Sequence, residues 1–230
     1  MFGQNPARKK APDSDEKVWI ENIFRTIQGE GPYTGYPATF VRLSGCNLKC
    51  YWCDTQFESF KWNLNPIDIF HKINHLDSPT PKLVVITGGE PFRQNIVPLI
   101  DYLIQKKLKV QIETNGTIYR PIKMNKSLTI VCSPKTPQLH SRTVEIITHY
   151  KYVIAHGEID ENDGLPIYCT QFKEKRLRLF RPPRGKPIYV MPRDDYDKET
   201  NLKNLNTCIK VAIKYGRTLN IQLHKELHLP

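Results

Sequence analysis

Hydrophobic positions along the chain gather into short, β-branched-rich runs that stop at glycine or polar residues: 38–43, 83–87, 108–114, 128–132, 152–155, 188–191 and 219–223. Runs of this kind predict buried strands. Between several of them the apolar period lengthens to that of a helix. One helix is predicted over 66–76, with Asn65 as its N-cap and Pro66 at its first position, and a second over 95–107. A third, over 198–215, places Leu202, Leu205, Ile209, Ala212 and Ile213 on one face and stops at Gly216. Alternating strands and helices predict an α/β fold, a partial (β/α) barrel of mostly parallel strands with its functional loops at the strands' carboxyl ends. Residues 1–17 mix Pro, Lys, Asp and Ser without period and predict a flexible amino-terminal tail, which leaves 18–230 as a single domain.

The predicted strands put four polar loops at equivalent places. A cysteine-rich loop follows 38–43, Gly88-Gly89-Glu90-Pro91 follows 83–87, Asn115-Gly116-Thr117 follows 108–114, and Ser133-Pro134-Lys135 follows 128–132. In a parallel sheet those ends share one rim, so residues distant in sequence meet around one pocket.

Composition narrows the choice of partners. A chain of 230 residues is long enough to bury roughly 70% of its unfolded surface around one enclosed site. Its formal charge of +11 leaves anionic ligands, an acidic protein partner or nucleic acid open. The basic segment 173–186 carries much of that charge, but no RNA-binding motif with interleaved stacking aromatics accompanies it, so a solvated loop is an equal reading and direct nucleic-acid binding is not expected. No apolar run reaches membrane-spanning length and the opening residues lack the apolar stretch of a secretion signal, so a cytoplasmic protein without a membrane anchor is expected. Six cysteines are too few for a disulfide scaffold in a chain this long. Three crowd at one point, which favours reduced thiolates serving a metal, whereas Cys132, Cys169 and Cys208 are scattered packing residues.

Cys46, Cys50 and Cys53 are spaced so that they can hold three irons of a [4Fe–4S] cluster and leave the fourth iron to a substrate or cofactor. A zinc knuckle, which needs a fourth Cys or His, and three unrelated core thiols are the alternatives. Gly88 and Gly89 let backbone groups approach a ligand closely and Glu90 adds an acceptor, although a double glycine can also be only a tight turn.

The cysteine spacing followed by Gly-Gly-Glu-Pro one strand unit later resembles the radical S-adenosylmethionine superfamily. The flanking residues sharpen the likeness: Thr26-Ile27-Gln28-Gly29-Glu30-Gly31, Phe40-Val41-Arg42-Leu43, Cys53-Asp54-Thr55, Glu113-Thr114-Asn115-Gly116-Thr117, Ser133-Pro134-Lys135 and Gln222-Leu223-His224-Lys225. Together they resemble the 7-carboxy-7-deazaguanine synthase family, closely over 20–139 and again near the carboxyl terminus. Between about 140 and 186 little likeness is legible, and Thr26 stands where the family usually has serine.

That resemblance implies a radical SAM type of fold and a carbon–nitrogen lyase. Its reaction would convert 6-carboxy-5,6,7,8-tetrahydropterin to 7-carboxy-7-deazaguanine with loss of ammonia, on the way to queuosine and related 7-deazapurines. It implies a [4Fe–4S] cluster on Cys46, Cys50 and Cys53, S-adenosylmethionine, and Mg2+ on Thr55. The cofactor-binding residues would be Gly88, Gly89, Glu90, Asn115, Ser133, Lys135 and Gln222. Substrate would meet Gln28, Gly29, Glu30, Arg42, Thr87, His224 and the carboxylate of Pro230, with no catalytic side chain beyond the cluster and the cofactor radical. Arg42 is the natural partner of the pterin carboxylate, because a planar guanidinium binds such groups bidentately. A homodimer and a flavodoxin-like electron donor on the basic surface complete the expectation.

Overall fold

The computed structural model describes residues 5–76, 81–171 and 177–229. β1 (Val18–Ile27) pairs antiparallel with β2 (Pro37–Leu43) on one side and with β3 (Trp62–Leu64) on the other. α1 (Pro66–Asn74) starts where the Asn65 side chain accepts the Asp68 N–H at 2.9 Å, as its sequence predicts. There follow β4 (Leu83–Gly88), α2 (Val97–Gln105), β5 (Lys109–Thr114), β6 (Leu128–Cys132), α3 (Ser141–Ile146), β7 (His149–Ile154), β8 (Ile188–Pro192), α4 (Lys198–Tyr215), β9 (Thr218–Leu219) and α5 (Leu223–Glu226). The sheet order is β3-β1-β2-β4-β5-β6-β7-β8-β9, with every pairing from β2 to β9 parallel. An open, mostly parallel α/β sheet of this kind is the partial barrel expected.

Period-two alternation sorts the strand residues between two faces. Val84, Ile86, Val110, Ile112, Ile130, Tyr150, Tyr152 and Val190 join the main core with the buried residues of α1, α2 and α4. The intervening Arg42, Thr87, Glu113, Ser133, Lys151 and Val153 line a cavity on the other face. Cys132, Cys169 and Cys208 are buried packing residues. Among the described residues no helix is long and apolar enough to cross a membrane.

The structure departs from the sequence expectation in three places, beginning with β1, a strand that the apolar runs do not predict. β1 lacks a legible alternation because its pairing with β2 shifts register between Ile20 and Asn22, a bulge that moves later side chains to the opposite face. The strand predicted over 219–223 is reduced to β9: Asn220 N–H makes its last bond to β8, donating to Val190 O at 2.8 Å, while Asn220 Oδ1 accepts the Gly31 N–H at 2.7 Å, and α5 begins at Leu223.

The amino-terminal segment is the third correction. Residues 5–17 do not form a free tail: Ala7 makes a parallel bridge with Cys46, Arg8 N–H donates to Cys46 O at 2.7 Å, and Asn5 Nδ2 donates to Thr55 O at 2.9 Å. Arg120 is wholly buried, donates to Phe92 O, Arg93 O and Ala11 O at 2.7–3.0 Å, and pairs with Asp13. The segment has no hydrophobic period because backbone groups and remote arginines anchor it.

Candidate active site

Parallel register converts distance in sequence into contact. Arg42 lies opposite Thr87 and Leu43 opposite Gly88, so the cysteine loop and the double-glycine turn leave the sheet side by side. Thr114 lies opposite Cys132, which brings Asn115 beside Ser133. A Cβ on Gly89 would stand 2.2 Å from the Gly45 carbonyl oxygen, so only glycine permits the two loops to touch, and Glu90 N–H fastens them by donating to that same oxygen at 3.0 Å.

These loops enclose a cavity of about 300 Å³. It is lined by Gln28, Glu30, Arg42, Cys46, Cys50, Cys53, Thr55, Thr87, Gly88, Gly89, Glu90, Asn115, Ser133, Lys135, Gln222 and His224, all of them expected from sequence. Gly29 stands just behind, where a Cβ would come 2.3 Å from His224 Nδ1. Pro230 lies outside the described residues.

All three loop cysteines are free thiols. Burial, with the charge of Glu90 adding to it, pushes the Cys46 thiol up to about 12, and burial raises Cys53 as well. Thiols so placed stay protonated at neutral pH unless a cation joins them, and three soft sulfur donors suit iron. Among the described residues no three His, Cys, Asp or Glu side chains converge on a position for one metal ion. A mononuclear centre is therefore a poor fit, whereas a [4Fe–4S] cluster takes each thiolate on a different iron.

On the cavity side of β7, Lys151 bridges two carboxylates. Its Nζ meets Glu30 and, at 2.8 Å, Glu113 Oε2, with the lysine side chain only 8% exposed. Burial alone would raise the Glu30 carboxyl, but Lys151 outweighs it by charge and hydrogen bond, and with Gln222 Nε2 donating at 3.1 Å Glu30 is held down to about 2. Glu113 is raised, since burial and the neighbouring Glu30 charge exceed the pull of Lys151. The lysine itself stays charged because its two acids outweigh its burial.

Glu90 faces its own scaffold more than the open cavity. It is 1% exposed and accepts Phe92 N–H, Thr114 Oγ1–H and Asn115 N–H at 2.6–2.9 Å. Burial pushes its carboxyl up to about 7 against the pull of those three donors. Lys135 donates to Ser133 Oγ at 2.6 Å and lies 5.1 Å from the centre of the Trp52 ring; burial lowers its pKa. Asn115 Nδ2 donates to Asn47 Oδ1 at 3.0 Å, tying this loop to the cysteine loop.

Among the described residues, three groups at the cavity wall lack a protein partner for their charge or hydrogen bond. Arg42 stacks over Phe24 at 5.6 Å and, among the described residues, has no carboxylate within ion-pair distance. Gln28 Nε2 and Thr26 Oγ1 are buried without a hydrogen-bond partner, a state that costs roughly 1–3 kcal/mol per group unless a ligand satisfies it. Thr55 Oγ1 donates to Asp54 Oδ1 at 3.1 Å, and Lys225 links Asp54 to Asp194. His224 has its pKa lowered by burial.

Sequence reasoning missed several of the lining residues. Lys151 lies in the alternation Tyr150-Lys151-Tyr152-Val153, and starting that strand at residue 152 hid it; the pattern from His149 onward would have found it. Arg193 and Asp194 follow β8 as the other loops follow their strands, so the same rule identifies them. Thr170 and Gln171, which contact Cys50 Sγ from behind the cavity wall, carry no motif at all.

Comparison with known proteins agrees with this geometry. The profile of the Radical SAM superfamily matches residues 40–153. The chain is 46% identical to the 7-carboxy-7-deazaguanine synthase of Rhodospirillum rubrum, over 100% of both chains. It is 39% identical to that of Rickettsia prowazekii, over 99% of this chain and 95% of the other. The crystal structure of QueE from Escherichia coli superposes with a TM-score of 0.66 at 24% identity, covering 89% of this chain and 93% of that one, and so shares the fold.

Proposed function

The chain belongs to the 7-carboxy-7-deazaguanine synthase family of the radical S-adenosylmethionine superfamily, and from that premise we propose a role for each wall of its cavity. It is a radical lyase that converts 6-carboxy-5,6,7,8-tetrahydropterin to 7-carboxy-7-deazaguanine with loss of ammonia, in 7-deazapurine biosynthesis. A [4Fe–4S] cluster and S-adenosylmethionine are the cofactors that this family implies. Bound together they supply one-electron cleavage of a carbon–sulfur bond and, through it, hydrogen-atom abstraction from substrate.

Cys46, Cys50 and Cys53 hold three irons. The backbone of Gly88 and Gly89, with Asn115, Ser133 and Lys135, holds the cofactor's amino acid and ribose, and Glu90 fixes the turn from behind while offering its remaining lone pairs. Gln222, bonded to Glu30, stands where the cofactor end of the cavity meets the substrate end. Arg42 takes the substrate carboxylate as a bidentate charge-assisted pair, since no protein carboxylate competes for it. Gln28, Glu30 and Thr87 meet the donor and acceptor edges of the pterin, and Gly29 leaves room for His224 beside it. Mg2+ sits at Thr55 with water and substrate oxygens, Asp54 lending negative charge nearby.

The observation that carries this reading is the meeting of three reduced thiols, a double-glycine turn and a carboxylate-free arginine in one cavity. Anaerobic incubation of the iron-loaded protein with S-adenosylmethionine, reductant, Mg2+ and the carboxy-tetrahydropterin should give 7-carboxy-7-deazaguanine and ammonia in equal amounts. Cofactor cleavage without pterin consumption would overturn it.

Two partners belong to the same proposal. A second copy of the chain fits the exposed Leu219, Ile221, Leu227 and Leu229 on the carboxyl-terminal segment, which includes the edge strand β9. An acidic, flavodoxin-like electron donor fits the net charge of +11. Light scattering tests the first; salt-independent reduction kinetics would count against the second.

A further inference from the structure

The cysteine loop is held on one side by residues 169–171, in the connection between β7 and β8. Tyr51 N–H donates to Thr170 O at 3.2 Å and Thr170 N–H to Lys135 O at 3.0 Å, so this short piece joins the cysteine loop to the Ser133-Pro134-Lys135 loop. Gln171 Oε1 accepts the Lys49 N–H at 2.9 Å, which fixes the amide's orientation and turns its Nε2 inward. That Nε2 lies 3.0 Å from Cys50 Sγ and 3.2 Å from Thr170 Oγ1. With its oxygen already accepting from Gln171, the Thr170 hydroxyl has its own hydrogen to give, and Cys50 Sγ is 3.0 Å away against 3.4 Å for Lys135 O. Thr170 is 7% exposed, so little water competes for that hydrogen.

The other two sulfurs are treated differently. Cys46 Sγ accepts one backbone N–H, from Leu48 at 3.4 Å, and Cys53 Sγ points toward the Thr55 carbonyl at 3.8 Å. Side-chain donors are therefore concentrated on Cys50. We propose that Thr170 and Gln171 raise the reduction potential of the cluster through paired hydrogen bonds to Cys50 Sγ. The proposal rests on the functional reading above. Reduction adds negative charge to the cluster and its sulfur ligands, and a donor aimed at a ligating sulfur stabilises the more negative state. Both residues act through Cys50 and are positioning residues, set to ease electron entry from a low-potential donor.

The test is an anaerobic redox titration of the iron-loaded full chain, followed by electron paramagnetic resonance with iron content measured in parallel. Thr170→Val exchanges the hydroxyl for a methyl group, Gln171→Ala removes the amide, and Thr170→Ser keeps the hydroxyl. At a fixed potential the reduced-to-oxidised ratio should fall about threefold in each single loss variant and about tenfold in the pair, a shift of 59 mV toward negative potential for a one-electron couple. Thr170→Ser should match the unaltered protein. An unshifted midpoint in the fully loaded double variant overturns the proposal. So does loss of iron by Thr170→Val but not by Thr170→Ser, since the hydroxyl would then serve only to fasten the loop. Failure of the unaltered protein to take up a [4Fe–4S] cluster would instead overturn the functional reading.

Discussion

Replacing Lys151 with methionine removes the one cation between two buried carboxylates while keeping an unbranched side chain of similar length. Glu30 and Glu113 would then face each other with only the amides of Gln222 and Gln111 as donors. Breaking a buried ion pair from one side costs about 3–5 kcal/mol. At roughly 2–4 °C per kcal/mol for a domain of this size, the melting temperature should fall by about 10 °C at pH 8. The loss has a definite pH dependence. In the variant both folded carboxyls are raised above their unfolded values by burial and mutual repulsion, so the folded chain binds more protons and its stability drops as pH rises from the ordinary carboxylate range through the folded pKa values. The deficit should shrink markedly between pH 8 and pH 5.5. Glu113→Gln in the Lys151→Met background should recover part of it by removing one of the two charges. Urea unfolding of the reduced, metal-free protein at both pH values is the assay. A deficit below about 1 kcal/mol at pH 8 would match an exposed pair and refute the buried bridge, as would a deficit that does not change with pH.

Other outcomes follow from the same geometry. Arg42→Ala should weaken pterin binding ten- to a hundredfold, from about 1.5–3 kcal/mol for a charge-assisted bond, and leave cofactor binding unchanged in calorimetric titrations. Gly89→Ala must push a methyl group into the Gly45 carbonyl, so cofactor affinity measured by equilibrium dialysis should fall at least tenfold, on the order of 1.4 kcal/mol. Deleting residues 1–13 removes the Ala7 bridge to Cys46 and leaves Arg120 buried without Asp13 and Ala11; the cluster absorbance should then bleach faster in air, and an unchanged lifetime would deny the segment any hold on the loop.

Much of the site can be read in the sequence because parallel β-structure is regular. Once strands are placed by their apolar runs, the residues that follow each one must share a rim, and Cys46, Gly89, Asn115 and Ser133 all obey that rule. Legibility ends where a residue's role depends on a partner remote in sequence. Lys151 looks like any solvent-facing lysine until Glu30 and Glu113 are known to flank it. Arg120 looks like a surface charge until the amino-terminal segment is laid over it. β1 fails for a local reason, since its bulge breaks the alternation by which strands are recognised.

The lining of the cavity is drawn from residues far apart along the chain, with Gln28 well before the three loop cysteines and Gln222 and His224 long after them. Translation therefore exposes all three thiols on the nascent chain long before Gln222 and His224, which complete the cavity wall, have been synthesised. During that interval the thiols are accessible from a side that the finished molecule walls in, whereas the cavity has no complete wall until residues 222–224 have been added.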